Sequence, residues 1–268
     1  MTKSMFTDIQ IVTLSQMARG EEWRTALAHD NPYHILIWIT RGQGRVLFDG
    51  LRRGFGAHNA FWVPAGCLFS LDLGRQTTGQ AVILPAATPL RLPQIPRHLR
   101  IRDVLVQNEL SGLIETAQRE ERSDKPLRQD ALEAHAALMS VWLRRQILLD
   151  EHIPDRRNAA GRLSQRFCAM LVEHYRSGAP MADYAEGLGV TPTHLTRAVK
   201  AATGKSAADL LTERVLHAAR SLLMDTSQPA QNIARHLGFG SPAYFTRFIQ
   251  HHTGKPPTRL RATQQELF

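Results

Sequence analysis

Two stretches decide how this chain reads: Thr191-Pro-Thr-His-Leu-Thr-Arg197 and, fifty residues later, Ser241-Pro-Ala-Tyr-Phe-Thr-Arg247. Each runs on into Thr-Gly-Lys, at Thr203 to Lys205 and Thr253 to Lys255. Upstream, with one residue of slippage, Tyr184-Ala185-x-x-Leu188-Gly189-Val190 stands beside Ile233-Ala234-x-x-Leu237-Gly238-Phe239. A match that recurs at a fixed period marks a repeated structural unit. The Ala and Leu place apolar groups on one face of a first helix, and Gly189 or Gly238 supplies a left-handed stop. Thr191 or Ser241 then caps a second helix with Pro at its first position. The unit is a helix-turn-helix in sequence form.

Within each second helix, Leu195 with Val199 and Phe245 with Ile249 share a face at four-residue spacing and are expected to pack inward. Thr193, Thr196 and Arg197, and likewise Ala243, Thr246 and Arg247, then face out. Near the start of a helix offered to a duplex, Arg pairs with the acceptor edge of guanine, and Thr bonds a base or phosphate while its methyl lies on thymine. Between the copies, Ser206 to Met224 carries Leu210, Leu211, Val215, Leu216, Leu222 and Leu223 at helical spacing without Pro or Gly. One continuous helix would hold the units at a fixed separation, and two recognition helices on one face of a duplex must lie roughly 34 Å apart.

Charge agrees with a polyanionic partner. The formal net charge is +9. Residues 162–261 hold 13 Lys+Arg against 6 Asp+Glu, whereas residues 1–161 hold 20 against 17, so most of the excess sits on the repeat half. A basic helical domain could also bind a membrane surface or an acidic protein, but these charges are spread through two helix pairs and form no amphipathic stripe. No stretch approaches a spanning helix, and Met1 to Gln10 has no apolar signal-peptide core, so a cytoplasmic protein without membrane contact is expected. Cys67 and Cys168 stand at neither metal nor redox spacing and read as reduced thiols.

The run Ile233-Ala-x-x-x-Gly238-Phe239-x-Ser241-x-x-Tyr244-Phe245-x-Arg247, continuing through Gly254, Pro256, Pro257 and Arg261, resembles the signature of the AraC/XylS family of bacterial transcription regulators. The resemblance covers the last hundred residues. It implies a domain over 162–262 that reads two successive major-groove segments of double-stranded DNA, commonly near a promoter where RNA polymerase is contacted. The base-reading positions it implies are Thr193, Thr196 and Arg197 in the first copy and Pro242, Ala243, Thr246 and Arg247 in the second. Thr191, His194 and Lys200, and likewise Ser241 and Tyr244, stand beside them as further candidate DNA-binding residues. The second helix departs from the pattern: Pro242 and Ala243 stand where polar readers are frequent, and Gln250 replaces a common basic residue.

The N-terminal half reads as mostly β. His34-Ile-Leu-Ile-Trp-Ile-Thr40 is a β-branched apolar run, Arg41-Gly-Gln-Gly44 turns it, and Arg45-Val-Leu-Phe48 leads to the hairpin signal Asp49-Gly50. Phe61 to Gly66 and Gln80 to Leu84 add strands, suggesting a small barrel or sandwich. Ile39-Thr-Arg-Gly-Gln-Gly44 followed by Val63-Pro-Ala-Gly66 resembles the cupin-like sensor domain of arabinose-type regulators. That likeness implies an α+β chain. A cupin-like effector-sensing barrel would span 1–95, a helical dimerisation region 96–149 and a linker 150–161, ahead of the all-α domain with its two helix-turn-helix units. It also implies a homodimer and a ligand-responsive activator.

Cupin metal sites need two His one residue apart, a nearby Glu and a later His. Here His29, His34 and His58 are scattered and Phe69 stands at the later position, so neither a metal nor a cofactor nor catalysis is expected. A barrel without metal still encloses a pocket. By alternation His34, Leu36, Trp38 and Thr40 share a face, and with Trp62 as a stacking wall His34, Leu36, Trp38 and Trp62 are candidate effector-binding residues; ordinary core is the alternative. Two helical stretches follow, Ile101 to Arg119 and Pro126 to Leu149, the second with Leu127, Ala131, Leu138, Val141, Trp142 and Leu148 on one apolar face. A cupin metalloenzyme fused to a DNA-binding domain, and a regulator whose N-terminal domain serves dimerisation alone, are the rival readings.

Overall fold

A computed structural model of the protein describes residues 8–149 and 158–265. The chain divides into two compact units, one holding most residues before 150 and the other residues from 158 onward.

The first unit contains β1 (Gln10–Thr13), two short helices α1 (Leu14–Ala18) and α2 (Trp23–Ala26), then β2 (Tyr33–Arg41), β3 (Gly44–Phe48), β4 (Leu51–Phe55), β5 (Asn59–Val63), β6 (Phe69–Leu73), β7 (Thr78–Pro85) and β8 (Arg97–Arg100). Helices α3 (Val104–Glu121) and α4 (Arg128–Leu148) complete it. The expected barrel is not closed. The strands form a five-stranded sheet ordered β1-β7-β2-β5-β8 and a separate three-stranded sheet ordered β4-β3-β6. The turn after Arg41, with Gly42 at φ 87°, carries the chain from one sheet to the other, and Asp49 and Gly50, at φ 52° and 74°, make the two-residue hairpin their sequence announced.

Strand β2 explains the layering. Residues Ile35 to Ile39 are all buried, so both faces of the strand are covered. Ile35, Ile37 and Ile39 pack with Val46, Phe48, Phe55, Phe61, Phe69 and Leu71 between the two sheets. Leu36 and Trp38 point the other way and pack with Trp62, Val82, Leu110, Ile114, Met139, Trp142 and Leu143, beneath α3 and α4. The unit is therefore three layers, small sheet, large sheet and helix pair.

Two boundaries and one face differ from the sequence reading. The stretch assigned to helices from residue 96 opens with β8, which pairs antiparallel with β5. The linker reading lies outside the described residues up to 157, and its last residues already belong to a helix that starts at Ala159. On α4 the buried residues are Leu132, Ala136, Met139, Ser140, Trp142, Leu143 and Gln146. Leu127, Leu138 and Leu148, which the sequence reading placed on one apolar face with Trp142, are exposed. Helix α4 is apolar on two sides, and the one carrying the large Trp142 and Met139 went inward.

The second unit is all helix: α5 (Ala159–His174), α6 (Met181–Gly187), α7 (Pro192–Thr203), α8 (Ala207–Asp225), α9 (Ala230–His236), α10 (Pro242–Thr253) and α11 (Pro257–Gln265). Among the described residues no helix is long and apolar enough to cross a membrane.

Candidate nucleic-acid interface

Both predicted units form as the repeat requires. Gly189 and Gly238 take the left-handed backbone at φ 70° and 76°. Past each glycine the chain returns a hydrogen bond to the preceding helix, Val190 N–H to Ala185 O at 3.0 Å and Phe239 N–H to Ala234 O at 3.0 Å. The extra residue of the second copy is Gly240, where a Cβ would meet nothing within 4 Å. Thr191 Oγ1 accepts from His194 N–H at 3.2 Å and Ser241 Oγ from Tyr244 N–H at 3.1 Å, each with Pro opening the helix. Such caps contribute about 0.5 to 2 kcal/mol each.

The Thr-Gly-Lys that closes each copy is a helix stop. Thr203 Oγ1 donates to Val199 O at 2.8 Å and accepts from Lys205 N–H at 3.1 Å. Thr253 Oγ1 repeats this with Ile249 O at 2.8 Å and Lys255 N–H at 3.2 Å. Gly204 and Gly254 then turn at φ 76° and 69°. Spacing alone gave no sign of these hydroxyl bonds.

Leu195, Val199, Phe245 and Ile249 are buried, as their spacing predicts. Opposite them in α7, Thr193, His194, Arg197 and Lys200 are exposed and Thr196 half-buried; in α10, Pro242, Ala243, Tyr244, Thr246, Arg247 and Gln250 are exposed. At 100° per residue, Thr193, Thr196, Arg197 and Lys200 share one face, and Ala243, Thr246, Arg247 and Gln250 share the equivalent one. The faces differ chemically. The first presents two cations and two hydroxyls. The second presents one cation, and the Thr246 hydroxyl donates to Pro242 O at 3.0 Å, which leaves its oxygen as an acceptor and its methyl for apolar contact. Thr191 and Ser241 spend their hydroxyl oxygens as caps and sit at the mouth of each helix.

Between the units, α8 is capped by a reciprocal pair, Ser206 Oγ accepting from Asp209 N–H at 3.1 Å and Asp209 Oδ2 accepting from Ser206 N–H at 2.9 Å. Hydrogen bonds to the carboxylate from the Ser206 hydroxyl first, and then from the Ser206 backbone N–H, hold the Asp209 carboxyl below its usual range. Nineteen residues at 1.5 Å each make α8 about 28 Å long. Further ties fix its direction. Arg214 of α8 lies 3.7 Å from the Tyr175 ring centroid, while Arg176 approaches the same ring at 4.9 Å and donates to its hydroxyl at 2.7 Å. Arg261 of α11 donates to Leu223 O at 3.3 Å and also to Gln228 O. The turn of the second unit rests directly on the loop after α5: a Cβ at Gly238 would fall 2.5 Å from Arg176 O and 2.6 Å from Gly178 N.

The four candidate effector residues are not gathered round an open pocket. Leu36, Trp38 and Trp62 are fully buried. Trp38 Nε1 donates to Ser111 Oγ at 3.1 Å and Trp62 Nε1 to Pro93 O at 2.8 Å. The opening between Leu36, Trp62, Leu92, Met139 and Leu143 has a volume of only ≈ 10 Å³, at most the room for one water. His34 stacks on Trp62 with centroids 5.4 Å apart and accepts from Ala65 N–H at 3.0 Å, and burial keeps its pKa below the usual value. Alternation divided β2 into two faces correctly, but the face chosen as interior is the one roofed by α3 and α4. Among the described residues, no group of three or more His, Cys, Asp or Glu is placed to hold a metal.

Residues 184–263 match the family model described as a helix-turn-helix domain. None of the curated proteins matches the chain. Among solved structures it is similar to the C-terminal domain of AraT, a response regulator from Geobacillus stearothermophilus, with 27% identity over 41% of this chain and 88% of that one and a TM-score of 0.37. It is also similar to unsaturated fatty acid bound wild-type ToxT from Vibrio cholerae strain SCE256, with 12% identity over 95% of each chain and a TM-score of 0.42. A DNA-binding transcriptional dual regulator from Escherichia coli K-12 gives 20% identity over 42% of this chain and 98% of that one, with a TM-score of 0.36.

Proposed function

We propose, from the premise that residues 184–263 are an AraC-type helix-turn-helix domain and the protein a DNA-binding transcription regulator, that α7 and α10 read two successive major-groove segments of one duplex. The observation that carries this is the duplication itself: two helices capped, stopped and buried alike, each offering the same exposed face. Arg197 is the guanine reader of the first segment, with Thr193, Thr196 and Lys200 beside it and His194 flanking. Arg247 takes that part in the second, where Ala243, the Thr246 methyl, Pro242 and Tyr244 supply apolar contact. Thr191 and Ser241, at the helix mouths, lie where backbone phosphates pass. The continuous α8 connector holds the two recognition helices at a fixed separation, and bending of the DNA accommodates any mismatch with one duplex turn of about 34 Å.

The N-terminal unit serves as sensor and dimerisation element of a cytoplasmic, ligand-responsive activator that contacts RNA polymerase at its promoter. Helix α4 supports the homodimer: Leu138, Leu148 and Leu149 are 53%, 85% and 69% exposed, with Val141 half-buried among them. Burying such side chains is worth about 1.5 to 3 kcal/mol apiece. The packing of Leu36, Trp38 and Trp62 favours a second reading, in which this unit dimerises without sensing; ligand binding by the first unit separates the two.

Selection of bound sequences from random duplex DNA by the full-length protein, at fixed salt, tests the DNA reading. Two conserved blocks about one helical turn apart are expected. A single block, or no enrichment, overturns paired recognition.

A further inference from the structure

The two sheets of the first unit leave a seam. Strand β4 is an edge of the small sheet and β8 an edge of the large one. Along that seam lies a cleft of ≈ 780 Å³, within the range of small-molecule sites. Its lining mixes elements of both sheets: Arg45 from β3, Gly54 and Phe55 from β4, Asn59 from β5, Asp72 from β6 and Arg100 from β8.

Arg45 and Arg100 are both exposed, and among the described residues neither guanidinium makes a hydrogen bond or an ion pair. Two guanidiniums thus line one cleft from different sheets, each with its donors available to an anionic group. Asp72 stands directly across from Arg45 in the β3–β6 register and supplies an acceptor. Asn59, only 4% exposed, is held by two bonds, its Oδ1 to His98 Nε2 at 2.6 Å and its Nδ2 to Ala57 O at 3.2 Å. A carboxamide nitrogen carries two hydrogens, so one of them is left to offer.

The glycines of the wall add a separate point. At Gly44 the fold demands glycine, since a Cβ would lie 2.4 Å from Asp72 O and 2.5 Å from the Phe55 ring. At Gly54 and Gly56 it demands nothing of the kind: neither has a left-handed backbone, and a Cβ would meet no atom closer than 4.0 Å. Within β4, at Gly54, alanine would suit the strand better than glycine does. What their missing side chains provide is room in the cleft.

We propose that this seam cleft is the effector site, and that it takes a small organic anion bearing hydroxyl groups. Arg45 and Arg100 bind the anionic group, Asp72 accepts from a hydroxyl, Asn59 donates from the floor and the Phe55 ring edge closes one side. The proposal rests on the regulator reading for its biological sense, but the site is tested on its own. Arginine Nε–Hε resonances of the full-length protein are followed by NMR during titration with D-gluconate, glycerol 3-phosphate or uncharged sorbitol, with assignments from Arg45→Gln and Arg100→Gln.

The expected result is saturating shifts at Arg45 and Arg100, half-complete at millimolar anion, absent with sorbitol and weakened about tenfold in either variant. Tighter response to gluconate marks a carboxylate as the anionic group, and tighter response to glycerol 3-phosphate marks a phosphate. Gly56→Val, which fills the cleft without touching either arginine, is expected to abolish saturation while circular dichroism stays unchanged. Shifts that grow linearly with both anions, that appear equally at arginines elsewhere on the surface, or that survive Gly56→Val overturn the site. Because the readout needs no DNA, failure of the site leaves the selection experiment standing, and failure of that selection leaves the anion shifts interpretable.

Discussion

Gly189 and Gly238 occupy the same place in the two repeats and take nearly the same backbone, φ 70° and 76°, yet their surroundings differ completely. A Cβ at Gly189 meets nothing within 4 Å, whereas one at Gly238 would lie 2.5 Å from Arg176 O, 2.6 Å from Gly178 N and 2.9 Å from Ser177 C. All three atoms belong to backbone and cannot swing aside. Gly189→Ala therefore carries the left-handed penalty alone, about 1 to 2 kcal/mol. Gly238→Ala carries that penalty plus an overpacking cost of about 1 to 3 kcal/mol, for a total of roughly 2 to 5. Urea unfolding followed by circular dichroism, with hydrogen exchange read at α9 and α10, measures both. At 2 kcal/mol or more, protection in α9 and α10 falls about thirtyfold in Gly238→Ala. Gly178→Ala should reproduce the loss from the other side, since its Cβ would lie 2.5 Å from Gly238 O. Equal destabilisation by Gly189→Ala and Gly238→Ala would refute the claim that this backbone contact anchors the second helix-turn-helix on the loop after α5.

Other outcomes follow from the same geometry. Arg197→Ala and Arg247→Ala should each weaken specific binding by about 1 to 3 kcal/mol and relax preference at one base pair, read by competition among single-substituted duplexes; equal loss on random DNA would reduce both residues to phosphate contacts. His98 is buried beside Phe61 with Arg53 nearby, and burial first, then that positive charge, lowers its pKa from 6.5 to about 3. The unfolded chain thus binds a proton that the folded one refuses. Stability is complete above pH 6.5 and is lost as pH falls towards 3, by up to about 1.4 kcal/mol per pH unit. Urea midpoints at several pH values should show a shallower slope in His98→Gln, and identical slopes would disprove the assignment. Leu138→Glu with Leu148→Glu should turn a dimer into a monomer in sedimentation without loss of helix signal, while an unchanged mass would place any dimer contact elsewhere.

The C-terminal unit was legible because its information is local. A cap, a left-handed glycine and an i, i+4 pair each lie within five residues of the chain, and the repeat doubled every one of them. Long-range ties were illegible for the same reason. Nothing near Tyr175 in sequence announces Arg214, 39 positions on, and nothing at Gly238 announces the Arg176–Gly178 loop against it. Thr203 and Thr253 were visible as part of a motif, but their work as hydroxyl caps needed the helix ends to be in place.

In the N-terminal unit, parity was the limit. Alternation along β2 sorts its side chains into two sets, but only a polar set would say which faces water, and here both sets are apolar because sheet lies on one side and helices on the other. The same ambiguity misled the reading of α4, where two apolar faces compete and shape decides. It also hid the seam. Strand β4 reads Leu-Arg-Arg-Gly-Phe and β8 Arg-His-Leu-Arg, sequences with too little apolar pattern to pass for strands. They are edge strands, and polar edges are how an open sheet avoids pairing with another chain. The feature that made these strands invisible to periodicity is thus what puts Arg100 beside Asn59 at a cleft margin. A cleft built from edge strands leaves no trace in apolar alternation; cations on short irregular segments, flanked by glycines that no turn requires, are its sequence signature instead.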